Sequence, residues 1–161
     1  MLTLNCKGRL LVVDKPKVMG IINTTPDSFY AGSRFTMVDE VLRQAEKMLQ
    51  DGAALLDIGG QSTRPGSQQV GPEEEMQRVT GIIEAVSLRF PDAILSVDTY
   101  HASVARQAVE AGAAMINDIS GGNMDPAMLE TAGSLKVPYV CMHTKGTPQD
   151  MQHHAVYEDV T

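Results

Sequence analysis

Five apolar runs in this chain each close on a polar, chemically capable side chain, and the stretches between them carry helical periodicity. Val18-Met-Gly-Ile-Ile closes on Asn23, Ala54-Leu-Leu on Asp57 and Ile94-Leu-Ser-Val on Asp98. Met115-Ile closes on Asn117 and Asp118, and Tyr139-Val-Cys-Met on His143. Short apolar runs alternating with helices read as parallel strands of an α/β protein. Ligands of such folds bind at the carboxyl ends of the strands. A polar, hydrogen-bonding site is therefore expected at one mouth of a sheet.

The intervening segments support this reading. Val38, Val41, Leu42, Ala45, Met48 and Leu49 follow three-and-four spacing, which predicts a helix from Met37 to Gln50 with Gly52 just past its end. Pro72 followed by Glu73, Glu74 and Glu75 reads as a helix start, because proline suits the first turn and acids suit the positive end of the dipole. The stripe of that second helix is Met76, Val79, Ile82, Ile83 and Val86. A third helix is expected over Ser103–Glu110, closed by Gly112, and a fourth over Pro126–Leu135 with Asp125 as its cap. The strands are expected at Val18–Asn23, Ala54–Ile58, Ala93–Val97, Met115–Asn117 and Pro138–Met142. Before them, two β-rich runs flank Lys7-Gly8, which predicts a hairpin over residues 2–13 that plugs the amino end of a barrel.

An internal echo points to repeated β/α units. Gly52-Ala-Ala-Leu-Leu-Asp-Ile-Gly-Gly resembles Gly112-Ala-Ala-Met-Ile-Asn-Asp-Ile-Ser-Gly-Gly: a helix-ending glycine, a small apolar strand, an acid or amide, then a glycine pair. The long irregular stretches after the first two strands favour a (β/α)8 TIM barrel of which about the first five units are present; such a barrel takes about 250 residues. A complete five-stranded flavodoxin-like sheet is the alternative architecture.

Composition removes several classes of function. A net charge of −7 argues against a general nucleic-acid surface or an anionic membrane face, so an anionic ligand would need local donors. No apolar run approaches the roughly 18 residues of a membrane span. Two distant cysteines, Cys6 and Cys141, match no metal spacing and are expected to be reduced thiols of a cytoplasmic protein. His153 and His154 are adjacent and would point apart on a helix; His101 is expected on an exposed turn.

Two loops carry the chemistry: Asn23-Thr-Thr-Pro-Asp-Ser-Phe29 and Asp57-Ile-Gly-Gly-Gln-Ser-Thr-Arg-Pro-Gly66. Together with Ser96-Val-Asp-Thr99, Ile116-Asn-Asp-Ile119 and Cys141-Met-His143, in that order, they make the chain resemble dihydropteroate synthase over essentially its whole length. The resemblance implies a transferase of folate biosynthesis, and a sulfonamide target. It would condense 6-hydroxymethyl-7,8-dihydropterin diphosphate with 4-aminobenzoate to 7,8-dihydropteroate and pyrophosphate. Small departures are Tyr30-Ala-Gly-Ser33 after the first motif and Gln61 where many members carry Glu.

What the resemblance implies for single residues agrees with the chemistry of their side chains. Asp98 and Asn117 are expected to read the donor and acceptor edge of the pterin. Asn23 is expected at a Mg²⁺ and diphosphate site, where one neutral ligand suffices because phosphate and water fill the rest of the shell. Thr63 and Arg64 are expected on the diphosphate, the guanidinium offering a planar fork to phosphate oxygens. Phe29 and Pro65 could wall the aminobenzoate ring, and His143 could line the pocket. Asp57 either stabilises positive charge on the pterin as the carbon–oxygen bond breaks or anchors the N–H groups of Gly59 and Gly60. Catalysis would be electrophilic, with water excluded by the two loops.

Two other readings stay open at this stage: a pterin-binding methyltransferase of the methyltetrahydrofolate–corrinoid kind, and a non-catalytic half-barrel binding protein. The resemblance also implies a homodimer when full length, and further site segments after Thr161. The 161-residue chain alone is therefore expected to release no pyrophosphate from the two substrates. Release at the rate of an intact enzyme would show that those segments are dispensable.

Overall fold

The computed structural model describes residues 1–25, 34–61, 69–146, 150 and 153–159, with backbone only at 34–36. Strands β1 (Leu2–Cys6) and β2 (Arg9–Val13) pair antiparallel, as the Lys7-Gly8 signal requires. Both turn residues have positive φ, 53° and 87°, the backbone of the tight turn whose twist matches that of a hairpin. Asn5 Oδ1 accepts from the Gly8 N–H at 2.7 Å and closes the turn.

Five strands follow, alternating with helices: β3 (Met19–Asn23), α1 (Arg34–Gln50), β4 (Leu55–Gly59), α2 (Pro72–Arg89), β5 (Ile94–Asp98), α3 (Ala102–Ala111), β6 (Met115–Asp118), α4 (Met128–Leu135) and β7 (Tyr139–Cys141). The five strands are all parallel and lie side by side in chain order, β3-β4-β5-β6-β7. A flavodoxin-like sheet would reverse its order at a switch point and carry helices on both faces. Here Ile22, Leu56, Ile58, Leu95, Val97 and Ile116 form a single core with residues of all four helices on one side. Sequential order with helices on one face is the arrangement of a (β/α)8 barrel, and the described residues supply five of its strands and four of its helices.

The hairpin seals the other side of the sheet at its amino end. Buried Cys6 and Leu11 pack with Leu55, Ile94, Ala114 and Met115. Lys7 Nζ donates to the carbonyl of Val109 at 2.7 Å and Arg9 donates to that of Ala93 at 3.1 Å, so the hairpin is tied to the ends of α3 and of the turn before β5. The carboxyl ends of the strands on this inner side carry polar residues instead.

Element boundaries differ from expectation for identifiable reasons. α1 begins three residues before Met37, and α4 begins at Met128 because Asp125 and Pro126 form a preceding turn. In that turn the Ala127 N–H bonds Asp125 Oδ1 at 3.0 Å, while Asp125 Oδ2 accepts from the Ala102 N–H at 2.7 Å. Asp125 thus joins the starts of α3 and α4.

Two glycines should respond oppositely to alanine. Gly112 ends α3 at φ +128°, and a Cβ there would lie 2.6 Å from Ser87 Oγ. Gly112→Ala is expected to cost about 1–3 kcal/mol in urea unfolding. Exposed Gly81 lies inside α2 with nothing within 4 Å of an added Cβ, so Gly81→Ala is expected to stabilise by about 0.5–1 kcal/mol.

Candidate active site

Parallel pairing sets Asn23, Gly59, Asp98, Asn117 and Val140 on one rung, with Ile21, Asp57, Ser96 and Met115 on the rung below. Side chains alternate along a strand, so both rungs face away from the helices. This is the face that the hairpin covers at its amino end, where Leu55 and Ile94 share the same alternation. The alternation also separates two neighbours: Asn117 points inward, while Asp118 points outward. There Asp118 accepts from the N–H groups of Ser120 (2.7 Å) and Gly122 (2.9 Å) and from the Tyr139 hydroxyl (2.6 Å).

On the inner face, Asn117 Nδ2 donates to Asp57 Oδ2 at 2.9 Å. The two residues belong to β6 and β4, so this bond crosses β5, and Asp98 lies on the strand between them. Gly59 makes room for Asp98, since a Cβ there would sit 3.4 Å from its Oδ2. Asp57 is 3% exposed, and its Oδ1 has no hydrogen-bond partner among the described residues. Of the two roles open to Asp57, its described hydrogen bond runs to Asn117 and not to the glycine N–H groups. Nor does Asp98 cap α3; that helix start is served by Asp125.

Burial pushes the Asp98 carboxyl up to about 7, and the charges of Asp57 and Asp118 push the same way. Burial also raises Asp57, opposed by the neighbouring Ser96 hydroxyl and by the Asn117 amide. Among the described residues neither carboxylate has a cationic partner. Two poorly solvated carboxyls and an amide on neighbouring strands make a surface short of donors. A ligand with a row of N–H groups would satisfy it and favour the charged carboxylates.

Asn23 ends the same rung on β3, with its side chain exposed. The next residue, Thr24, ties the first loop to β4 through its N–H (2.8 Å) and hydroxyl (3.1 Å), both donating to the Gly59 carbonyl. No three His, Cys, Asp or Glu side chains cluster as metal ligands among the described residues. A lone neutral amide oxygen fits a Mg²⁺ ion that arrives with phosphate and water, and does not fit a resident metal. Phe29, Thr63, Arg64 and Pro65 lie outside the described residues. His143 lies beyond β7, exposed, with its ring 5.9 Å from that of Tyr157.

A group beside this site was not singled out from sequence. Glu75 is fully buried, unlike its exposed neighbours Glu73 and Glu74. Its Oε2 accepts from the Thr99 hydroxyl at 3.1 Å and lies 3.9 Å from His101 Nε2. His101 is half-buried and not on an exposed turn. The available signal was spacing: Glu75 precedes Val79 by four residues and Ile82 by seven, on the buried stripe of α2.

The model of the family described as "Pterin binding enzyme" matches residues 19–161. The chain is 48% identical over 143 residues to a dihydropteroate synthase of Synechocystis, covering 89% of this chain and 49% of that protein. Among solved structures, Yersinia pestis dihydropteroate synthase in a sulfonamide drug complex superposes with a TM-score of 0.85 at 44% identity, covering 98% of this chain and 56% of that one. Xanthomonas albilineans dihydropteroate synthase with 4-aminobenzoic acid gives a TM-score of 0.83 at 46% identity, covering 89% and 52%. The fold and the inward rung of carboxylates and amides are those of a sheet-mouth binding site, and the chain belongs to the pterin-binding enzyme family. It spans about half the length of the curated relatives it matches. Among the described residues no helix is long and apolar enough to cross a membrane.

The raised Asp98 pKa has a definite consequence for stability. Between the unfolded and folded values the native state binds the extra proton, so stability falls as pH rises through that window. Urea unfolding should therefore show stability decreasing from about pH 4 to about pH 7, and Asp98→Asn should reduce that slope without abolishing it, because buried Glu75 is raised in the same way. An unchanged slope would place the proton elsewhere.

Proposed function

We propose that the intact protein carrying this chain is a dihydropteroate synthase. The observation that supports this most is the Asn117–Asp57 hydrogen bond with Asp98 between its partners: an inward-facing, acceptor-rich surface suited to an aminopyrimidinone edge. The relatives are named dihydropteroate synthase, and one structure holds 4-aminobenzoic acid; the sequence resemblance adds the pterin diphosphate. The substrates would be 6-hydroxymethyl-7,8-dihydropterin diphosphate and 4-aminobenzoate.

Asp98 and Asp57 would accept the N–H groups of the heterocycle, and Asn117 would offer both a donor and an acceptor. Thr63 and Arg64 would hold the diphosphate, Asn23 would hold Mg²⁺, and Phe29, Pro65 and His143 would flank the aromatic amine. When bound, Mg²⁺ would neutralise charge on the diphosphate. The carbon–oxygen bond to the diphosphate breaks, the amine nitrogen forms the new carbon–nitrogen bond, and the nitrogen sheds one proton. Paired carboxylates close to the heterocycle would stabilise the positive charge that grows as the leaving group departs. The same reading carries a cytoplasmic location, where the free thiols of Cys6 and Cys141 stay reduced, and a homodimer.

The intact protein should release pyrophosphate only when both substrates are present. Asp98→Asn and Asn117→Ala should each weaken binding of the pterin alcohol by about tenfold or more. Arg64→Ala should spare the alcohol and weaken the diphosphate ester by a similar factor. Pterin binding that is indifferent to Asp98 and Asn117 would refute the assignment. Tight pterin binding without any response to Mg²⁺-pyrophosphate would instead favour the methyltransferase reading.

A further inference from the structure

We propose that Glu75 is a positioning residue that locks the root of the second loop, Gly59–Gln61, to the carboxyl end of β5 where Asp98 sits. The inference deepens the function proposed above and rests on it for its consequence in ligand binding. The clamp itself stands on the geometry.

A fully buried carboxylate is costly where an apolar side chain would pack as well. Glu75 takes a place on the apolar stripe of α2, and one of its oxygens, Oε1, has no hydrogen-bond partner among the described residues. Its helix begins at Gly71 without a side-chain cap, so Glu75 is not serving as half of a capping box. The positive end of α2 offsets part of the cost of burial, but it does not select a carboxylate over a neutral acceptor.

What surrounds Glu75 gives it a task. Its Oε2 accepts a hydrogen bond from the hydroxyl of Thr99, the residue directly after Asp98. Its stem lies against the loop root: a Cβ on Gly60 would come within 3.1 Å of Glu75 Cγ and 2.8 Å of Val79 Cγ1. Gly60 is therefore the residue that lets the loop backbone lie directly on α2. Arg78, one turn further along, donates to the Gly60 carbonyl at 2.8 Å. Gln61 is held from the β5 side, its Oε1 accepting from the Tyr100 hydroxyl at 2.7 Å. One buried group thus joins three elements: the start of α2, the loop root after β4 and the end of β5. Residues 62–68, which include Thr63 and Arg64, follow directly from that root.

Glu75 is itself titratable. Burial drives it up to about 7, the charge of Asp98 adds to this, and Thr99 and Arg78 oppose it; His101 also faces it at 3.9 Å. The positioning role needs only an acceptor for Thr99, which a glutamine supplies.

The test uses the intact protein and the variants Glu75→Ala, Glu75→Gln and Thr99→Val. Hydrogen exchange of peptides covering residues 57–70 is compared with that of α4, and affinities are measured for the pterin alcohol and its diphosphate ester. Glu75→Ala and Thr99→Val should speed exchange in the 57–70 peptides but not in α4. They should weaken the ester by about tenfold while holding the alcohol within about threefold, and Glu75→Gln should restore both readouts. Thr99→Val decides the matter should Glu75→Ala fail to fold. Unchanged exchange in 57–70, or equal loss for alcohol and ester, would overturn the proposal. If the unaltered protein binds neither ligand, the functional reading fails, while exchange still decides whether Glu75 clamps the loop root.

Discussion

The hydrogen bond from Asn117 to Asp57 sets the inner face of this sheet. It spans β5, so it depends on three consecutive strands keeping their parallel register. Gly59, opposite Asp98, leaves that carboxyl uncrowded: an added Cβ would lie 3.3 Å from the Asp98 Cβ. A one-residue slip of any of these strands would turn its polar residue toward the helices, into a core of Ile58, Val97 and Ile116. Register, burial of the outer face and convergence of the polar side chains are therefore one constraint.

The inner face is divided along its length. Its amino end is apolar and closed by the hairpin through Cys6 and Leu11. Its carboxyl end gathers Asn23, Asp57, Asp98 and Asn117 with few donors among them. Such a face is stable when its carboxyls hold protons or when a ligand supplies N–H groups. The raised pKa of Asp98 and the affinity proposed for a pterin edge have the same cause, a shortage of solvation and of donors.

Much of this was legible in the sequence, because apolar runs and three-and-four spacing report burial directly. All five parallel strands, the hairpin and the four helices lie where those patterns place them. The polar residue that closes an apolar run is not always the strand's last residue. Asp98 does end β5, but Asp57 is the third residue of β4 and Asn117 the third of β6, because a strand that faces a site can carry its polar groups inside the ladder. Glu75 was hidden for the opposite reason: three consecutive acids read as a helix start, and only packing against Gly60 and Thr99 separates the buried one from its neighbours. Asp125 likewise read as the cap of α4, whereas its second oxygen serves α3, a contact no local pattern encodes.

The proposed pterin site requires Asp98, whose carboxyl is pushed up to about 7 by burial and by the charges of Asp57 and Asp118, to meet the heterocycle's N–H groups as a carboxylate. Titration calorimetry of 6-hydroxymethylpterin into the intact protein, in buffers of different ionisation enthalpy, counts protons exchanged on binding. Net proton release is expected on binding near pH 7, smaller in Asp98→Asn, where Glu75 remains as the other strongly raised carboxyl. Binding of normal strength with no proton released, or with release undiminished in Asp98→Asn, would overturn the assignment.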